Sequence, residues 1–237
     1  MRFECVSRTH VGLKRKINED SILVETGRGL WAVADGMGGH EAGEVASAAA
    51  VDALRGLPGT QDLDELVADA TEALRRANGQ LIALAQSNQS ERTIGTTVVG
   101  IAIPGGHFRC FWAGDSRAYR LRGGAIVRLS RDHSLVQDLV DAGMIKPEEA
   151  ERHENSNVIT RAVGVREVLE VDCVGGDAAP GDVFLLASDG LTRVVDDREL
   201  AAQLGNGSLD DVADRLLETV LARGAPDNVS LIIVRLI

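Results

Sequence analysis

Short runs of apolar and β-branched residues, each bounded by Gly, Pro, Asn or Asp, recur along this 237-residue chain. Such runs are typical of β-strands. We predict strands over residues 21–25, 30–34, 96–103, 107–114, 118–122, 125–129, 168–174, 182–188 and 228–236. Several connections are short, and the Gly-Gly pair at 123–124 is a hairpin signal. These features favour antiparallel pairing.

Helical periodicity occurs in two separate groups, over 41–54 with 62–87, and over 197–204 with 209–223. Ser208 and Asp211 predict an N-terminal cap for the last helix. Because the helices come in pairs and do not alternate with strands, we predict an α+β fold with mostly antiparallel sheets. The polar segment 134–165 is predicted to be a part-helical insertion over the surface. No linker divides the chain, so we expect a single domain over 1–237.

Composition excludes several classes of protein. The net charge of −11 makes the chain a poor partner for nucleic acid or an anionic membrane surface. Its three scattered cysteines form no CxxC pair, which argues against a disulfide framework or a zinc knuckle. No apolar run approaches the roughly 20 residues that span a bilayer, and the N-terminus lacks the apolar segment of a signal peptide. We therefore expect a cytoplasmic protein.

Aspartates stand at the edges of five apolar runs: Asp20, Asp35, Asp115, Asp189 and Asp227. Each could be a turn residue, since Asp readily bonds to nearby backbone. If they converge, their mutual repulsion raises their pKa values unless a cation neutralises them. An all-oxygen cluster selects Mg²⁺, Mn²⁺ or Ca²⁺ and not zinc. A glycine directly after Asp35 would leave the backbone carbonyl of that glycine free to approach an ion.

Competing phosphate and hydrolase motifs are absent from the sequence. The stretch "GMGG" fails the GxGxxG pattern because Glu41 occupies the third glycine position, and neither a P-loop nor a GxSxG elbow occurs. A cysteine-nucleophile phosphatase would carry Arg six positions after its Cys. Those positions hold Val11, Ser116 and Ala179, so the sequence excludes that mechanism.

Eight segments occur in one order along almost the whole chain: "GLKRKINEDS", "VADGMGGH", "IGTTVVG", "AGDSRAYRL", "SRDHSLVQDLVDAG", "NVITRAVG", "LLASDGL" and "APDNVSLIIV". In this order they resemble the metal-dependent protein phosphatase family, the type 2C serine/threonine phosphatases, and most of all its compact bacterial members. The resemblance implies a four-layer α/β/β/α sandwich, with two antiparallel sheets flanked by helix pairs and a mobile flap over about 134–165.

The resemblance also implies an activity. A type 2C phosphatase hydrolyses phosphoserine and phosphothreonine monoesters by attack of a hydroxide that bridges two metal ions. The ions would be Mn²⁺ or Mg²⁺, two per site, with a third and weaker one in bacterial members. The partners would be phosphorylated targets of a eukaryotic-like Ser/Thr kinase, and the protein would act as a monomer without nucleic acid or membrane.

By position, the resemblance assigns the two main metals to four residues. Asp35 would bridge the two ions, and Gly36 would offer its carbonyl oxygen to one of them. Asp189 and Asp227 would hold the other ion.

Further residues of the site follow from the same resemblance. Asp20 and the outer-sphere Glu19 would act on the metals mainly through bound water. Asp115 would form the third metal site together with Asp189. Asn157 would lie near that third metal.

Arg15 would grip the substrate phosphate, a contact suited to a guanidinium fork; otherwise it is a solvated residue of a basic run. Some family members carry a histidine after the bridging Asp-Gly, where this chain has Met37. His40 is then the candidate acid for the leaving alkoxide, and a metal-bound water is the alternative. Isolated histidines such as His133 and His153 are more often structural.

Two other hypotheses stay open from the sequence. The first is a catalytically silent regulatory or phosphoprotein-binding module on the same fold, which would be expected to lack metal aspartates; none is missing here. The second is a phosphatase dedicated to one switch, such as a secretion system or an anti-sigma pathway.

Overall fold

The computed structural model describes residues 1–38, 42–87, 93–150 and 153–237. The strands in these ranges are β1 (Phe3–His10), β2 (Asp20–Glu25), β3 (Leu30–Met37), β4 (Gly95–Thr96), β5 (Val98–Ala102), β6 (His107–Ala113), β7 (Arg117–Arg122), β8 (Ala125–Arg128), β9 (Asp172–Asp177), β10 (Val183–Ala187) and β11 (Val229–Leu236). The α-helices are α1 (Ala42–Arg55), α2 (Leu63–Ser87), α3 (Leu135–Asp141), α4 (Pro147–Ala150), α5 (Asp189–Thr192), α6 (Asp197–Leu204) and α7 (Leu209–Ala222).

The strands form two antiparallel sheets. The first sheet has the order β1-β11-β10-β7-β8. The second has the order β2-β3-β5-β6-β9, with β4 as an extra partner of β3. The predicted antiparallel pairing is therefore confirmed.

The two sheets pack face to face, and each carries helices on its outer face. The core between the sheets includes Trp31, Ile101, Phe184, Leu186 and Ile232. Helices α1 and α2 pack on the second sheet, while α6 and α7 pack on the first. This order of layers confirms the four-layer α/β/β/α sandwich. Strands β10 and β11 have helices on one face and the second sheet on the other, so both of their faces are buried. Their sequences are therefore almost continuously apolar.

Both predicted helix groups are confirmed, including the start of α7, where the Ser208 side chain accepts from the backbone N–H of Asp211. The segment 134–165 holds α3 and α4. Its two ends are fixed by isolated bridges, Ser134 with Ile159 and Thr96 with Val163. The insertion is thus part-helical, as predicted, and Thr96 and Val163 connect it to the strand that pairs with β3.

The strand prediction was wrong at two edges of the sheets. It missed β1, whose sequence "FECVSRTH" is polar because it lies at the edge of the first sheet, paired only with β11. It also placed a strand at 168–174, where the structure has β9 at Asp172–Asp177. Gly175 and Gly176 lower the strand propensity of β9, but pairing with β6 compensates for that loss.

Among the described residues, no helix combines the length and the apolar character that crossing a bilayer requires.

We expect Leu186→Ala to lower the free energy of unfolding by about 2–5 kcal/mol, since it empties a buried position between the sheets. The matched control is Leu84→Ala on the partly exposed surface of α2, which we expect to change that free energy by less than about 0.5 kcal/mol. Urea unfolding of both variants checks this. Equal losses in the two variants would contradict the assignment of the inter-sheet core.

Candidate active site

Asp35 and Asp20 face each other across the β2–β3 pair. The expectation that Asp35 ends its strand was wrong, because β3 continues to Met37. The strand beside β3 is interrupted at Thr97, between β4 and β5. There the backbone N–H of Thr97 donates to the Asp35 carbonyl at 2.8 Å, and the Asp35 N–H donates to the Thr97 hydroxyl at 3.1 Å. The register is the same on both sides of the interruption, and these two bonds fix the backbone of Asp35 opposite Thr97.

Gly36 is required by a close approach of three backbone segments. A Cβ atom at this position would lie 2.1 Å from the carbonyl oxygen of Gly43 in α1 and 2.6 Å from that of Glu19. The Gly36 N–H donates to the same Glu19 carbonyl at 3.1 Å. A side chain here would therefore push α1 and the Glu19 backbone away from Asp35.

The first sheet supplies Asp189, at the start of α5 directly after β10, and Asp227, just before β11. A cleft of about 290 Å³ opens where these residues meet the second sheet. Its lining includes most of the residues that the sequence singled out: Arg15, Glu19, Asp35, Gly36, Asp115, Asn157, Asp189 and Asp227. Asp20 is buried beside this cleft and does not line it. The structure thus brings the acids together, and they are not merely turn residues.

Burial and mutual repulsion raise the pKa values of these carboxyls. Burial raises the pKa of Asp20 to about 6, with Asp227 and Glu19 adding to the shift and two serine hydroxyls opposing it. Burial, reinforced by Asp189, raises the pKa of Asp115 to about 7. The pKa of Asp35 rises well above its ordinary value, because the carboxyl is buried and surrounded by four other aspartates. The site therefore needs positive charge to keep its carboxylates ionised.

Two arginines supply part of that charge. The Nη2 atom of Arg15 lies 2.7 Å from Oδ2 of Asp227. Arg193 pairs with both Asp189 and Asp115, at 2.8 Å and 3.1 Å. Across the ranges that the structure describes, no three His, Cys, Asp or Glu side chains are gathered into a ready-made metal-binding group. Three of the aspartates, Asp115, Asp189 and Asp227, are instead paired with these two guanidinium groups.

The donor set nevertheless fits hard divalent cations. Three buried carboxylate oxygens, Oε1 of Glu19, Oδ1 of Asp20 and Oδ1 of Asp115, have no hydrogen-bond partner among the described residues. Leaving such atoms unpaired costs free energy that a bound cation would recover. All the donors are oxygens, which matches Mg²⁺ and Mn²⁺ and not zinc.

A hydroxyl network joins the two sheets at this end. The Ser188 hydroxyl donates to Oδ2 of Asp20 at 2.9 Å and accepts from the Ser230 N–H at 3.0 Å. The Ser230 hydroxyl lies 2.8 Å from that of Thr9. Ser188, Ser230 and Thr9 were not predicted from the sequence as part of the site. Ser188 directly precedes Asp189 and is the one sequence signal that could have pointed to the network.

Asn228 is a second missed residue, although it directly follows Asp227. Its Oδ1 accepts from the Glu19 N–H at 2.8 Å, and its Nδ2 donates to the carbonyls of Val11 and Ile17 at 2.9 Å each. These bonds hold the loop that carries Arg15 and Glu19 against the end of β11. The available sequence signal was an amide residue between an acidic residue and an apolar run.

Two of the histidines that the sequence analysis considered are His40 and His133. His40 lies outside the described residues. His133 is buried, its Nδ1 accepts from the Gly114 N–H at 3.1 Å, and its Nε2 lies 3.2 Å from Oδ2 of Asp172. This is the hydrogen-bonded structural role expected of an isolated histidine, and it fixes the turn that precedes Asp115.

Comparison with known sequences gives one family. The sequence model described as "Protein phosphatase 2C" matches residues 13–229. The serine/threonine protein phosphatase PstP of Mycobacterium tuberculosis is 38% identical over 227 residues, which are 96% of this chain and 44% of that protein. The chain thus spans less than half the length of this curated relative.

Solved structures agree in fold. PppA, described as a key regulatory component of T6SS in Pseudomonas aeruginosa, superposes with a TM-score of 0.92 at 42% identity, covering 99% of this chain and 98% of PppA. The catalytic domain of the serine threonine protein phosphatase PstP, in complex with two manganese ions, superposes with a TM-score of 0.86 at 36% identity, covering 98% of this chain and 97% of that domain.

The raised pKa of Asp20 predicts a pH dependence for the protein stripped of metal with EDTA. Unfolded Asp20 loses its proton near pH 3.9, whereas folded Asp20 keeps it up to about pH 6. The stability from the bound proton is therefore present below about pH 4 and is lost as the pH rises through about 6. As the pH rises between these two values, the free energy of unfolding of wild type should fall by up to about 1.4 kcal/mol per pH unit relative to that of Asp20→Asn. Urea unfolding at pH 4–7 measures this difference, and a constant difference would contradict the prediction.

Proposed function

The chain belongs to the protein phosphatase 2C family, and we propose that it is a metal-dependent serine/threonine protein phosphatase, which hydrolyses phosphoserine and phosphothreonine monoesters in proteins. The observation that carries this proposal is the meeting of Asp35, Asp189 and Asp227, from two different sheets, at one cleft beside Arg15. We further propose that residues 1–237 act as one catalytic domain.

In this proposal Asp35 would be a ligand of both of two divalent ions, and the Gly36 carbonyl would be a ligand of one of them. Asp189 and Asp227 would hold the second ion, while Asp20 and Glu19 would act through water. When bound, the ions activate water for attack on phosphorus and cancel the repulsion between the acids and the substrate dianion. The PstP structure with two manganese ions supports the number of ions; Mn²⁺ and Mg²⁺ both suit the donors.

Arg15 binds the substrate phosphate in this account. It is half-exposed at the mouth of the cleft, and its present partner is Asp227. Once an ion satisfies Asp227, the guanidinium is free to turn its fork toward two phosphate oxygens, which is the geometry it matches best.

The proton for the leaving alkoxide comes from His40 or from water in this proposal. His40 follows Met37 by three residues on the segment between β3 and α1. Met37 and Gly38, which precede His40 in the sequence, both line the cleft, and this supports the proposal.

The substrates we propose are phosphoproteins, targets of a eukaryotic-like Ser/Thr kinase in the bacterial cytoplasm, and the working form is a monomer. The presence of every metal aspartate argues against the silent binding module. The 42% identity to PppA, a T6SS regulator, supports a second candidate in which the substrate belongs to one secretion switch. Dephosphorylation of a general phosphothreonine peptide panel, compared with secretion-system phosphoproteins, separates the two candidates.

We expect Asp35→Asn to reduce Mn²⁺-dependent hydrolysis of a phosphothreonine peptide by on the order of 10²–10³-fold, because the charge that organises both ions is lost. EDTA should abolish wild-type turnover. The control is Asp64→Asn, an exposed residue of α2 far from the cleft, which should keep its rate. Turnover that survives both EDTA and Asp35→Asn would contradict the proposed function.

We expect Arg15→Ala to lower kcat/KM for the same peptide by roughly 10- to 100-fold, the loss expected for a charge-assisted bond of about 1.5–3 kcal/mol. Arg15→Lys should recover part of the lost kcat/KM, since lysine keeps the positive charge but not the forked guanidinium group. Mn²⁺ binding measured by calorimetry should not weaken in either variant, because Arg15 is not a metal ligand. An unaltered kcat/KM in Arg15→Ala would exclude Arg15 as the phosphate ligand.

A further inference from the structure

Arg193 lies between two acids of the site, Asp189 after β10 and Asp115 in the turn between β6 and β7. Its Nε is 2.8 Å from Oδ2 of Asp189, one helical turn earlier, and its Nη2 is 3.1 Å from Oδ2 of Asp115. Asp115 and Asp189 are also the pair to which the family resemblance assigns a third metal ion. The guanidinium thus lies in direct contact with both carboxylates.

The same side chain also contacts the flap, residues 134–165. Its Nη2 donates to the carbonyl oxygen of Ser156 at 3.3 Å, and its Nη1 donates to Oδ1 of Asn157. Arg193 is therefore held by four acceptors on three segments of the chain. Such a bond set uses the whole guanidinium fork, which a lysine could not reproduce.

The electrostatics of this position favour a fixed positive charge. Asp115 is buried, and its remaining oxygen has no partner among the described residues. Two close carboxylates in such a place are stable as anions only with a cation between them. The Arg193 guanidinium keeps its charge at every accessible pH. A third metal ion entering the space between Asp115 and Asp189 would meet that charge at contact distance and be repelled, whereas the contact of Arg193 Nε with Oδ2 of Asp189 leaves Oδ1 for the second ion of the proposed site.

We propose that the Arg193 guanidinium takes the place of a third metal ion between Asp115 and Asp189 and ties the flap to the active site through Ser156 and Asn157. This inference rests on the proposed function, because it assumes that two ions bind at Asp35. It makes Arg193 a positioning residue, which acts on the reaction through Asp115, Asp189 and the flap.

The test counts bound Mn²⁺ per chain by native mass spectrometry and equilibrium dialysis. Wild type should bind two ions. Arg193→Ala should bind three, because removing the guanidinium leaves Asp115 and Asp189 without a cation. The double variant Arg193→Ala/Asp115→Asn should return to two. Arg193→Lys should keep two ions, since the positive charge stays.

A second readout follows the flap without any turnover. Amide hydrogen exchange over residues 153–160 should be faster in Arg193→Ala and in Arg193→Lys than in wild type, because both variants lose the bonds to Ser156 and Asn157. Circular dichroism verifies that the variants are folded. If Arg193→Ala does not fold, the ion count of wild type and of Arg193→Lys still decides the question.

Three ions on wild type, or the same count in wild type and Arg193→Ala, would overturn the inference. These outcomes leave the proposed function intact if Mn²⁺-dependent hydrolysis is present. A wild-type protein that binds no ion and hydrolyses no phosphopeptide would overturn both.

Discussion

Repulsion among buried carboxylates is the constraint on which the structure of this site depends. Burial and neighbouring acids raise the pKa values of Asp20, Asp35, Asp115 and Asp189. A fold gathers such groups only where positive charge offsets the cost of their ionisation. In the protein alone, Arg15 and Arg193 provide that charge for three of the acids. We propose that divalent ions supply the remaining charge, so that metal binding would both stabilise this end of the sandwich and support the proposed activity.

The sandwich holds these acids in place from both sheets at once. Thr97 fixes the backbone of Asp35, and its hydroxyl lies 2.7 Å from that of Ser116, which follows Asp115. Ser188 connects the end of β10 to Asp20, and Asn228 fixes the loop of Glu19. Because the bonds of Ser188 to Asp20 and of Asn228 to Glu19 join the two sheets, the site is complete only when the sheets are docked. The inter-sheet core therefore helps to build the cleft.

Local signals in the sequence predicted most of the strands, the two helix groups and the aspartates at strand edges, whereas the four layers followed from the family resemblance. Asp20, Asp189 and Asp227 each adjoin a strand, so their positions were visible without any tertiary contact. Roles set by long-range contacts were not visible: Arg193 looks like an ordinary charged residue at the end of a short helical segment. The strand that carries Asp35 was predicted three residues too short, because its extension to Met37 depends on pairing with β4. Edge strand β1 was missed because the run of polar residues at 7–10 interrupts the alternation of apolar and polar residues that predicts a strand.

The most direct test of the account is the location of Mn²⁺ in crystals of the protein, found from its anomalous scattering. The account predicts two peaks about 3.5–4 Å apart with the Asp35 carboxylate between them, as in two-metal hydrolytic centres. It also predicts no peak between Asp115 and Asp189, where the Arg193 guanidinium lies. Manganese peaks that make no contact with Asp35 would contradict the central claim.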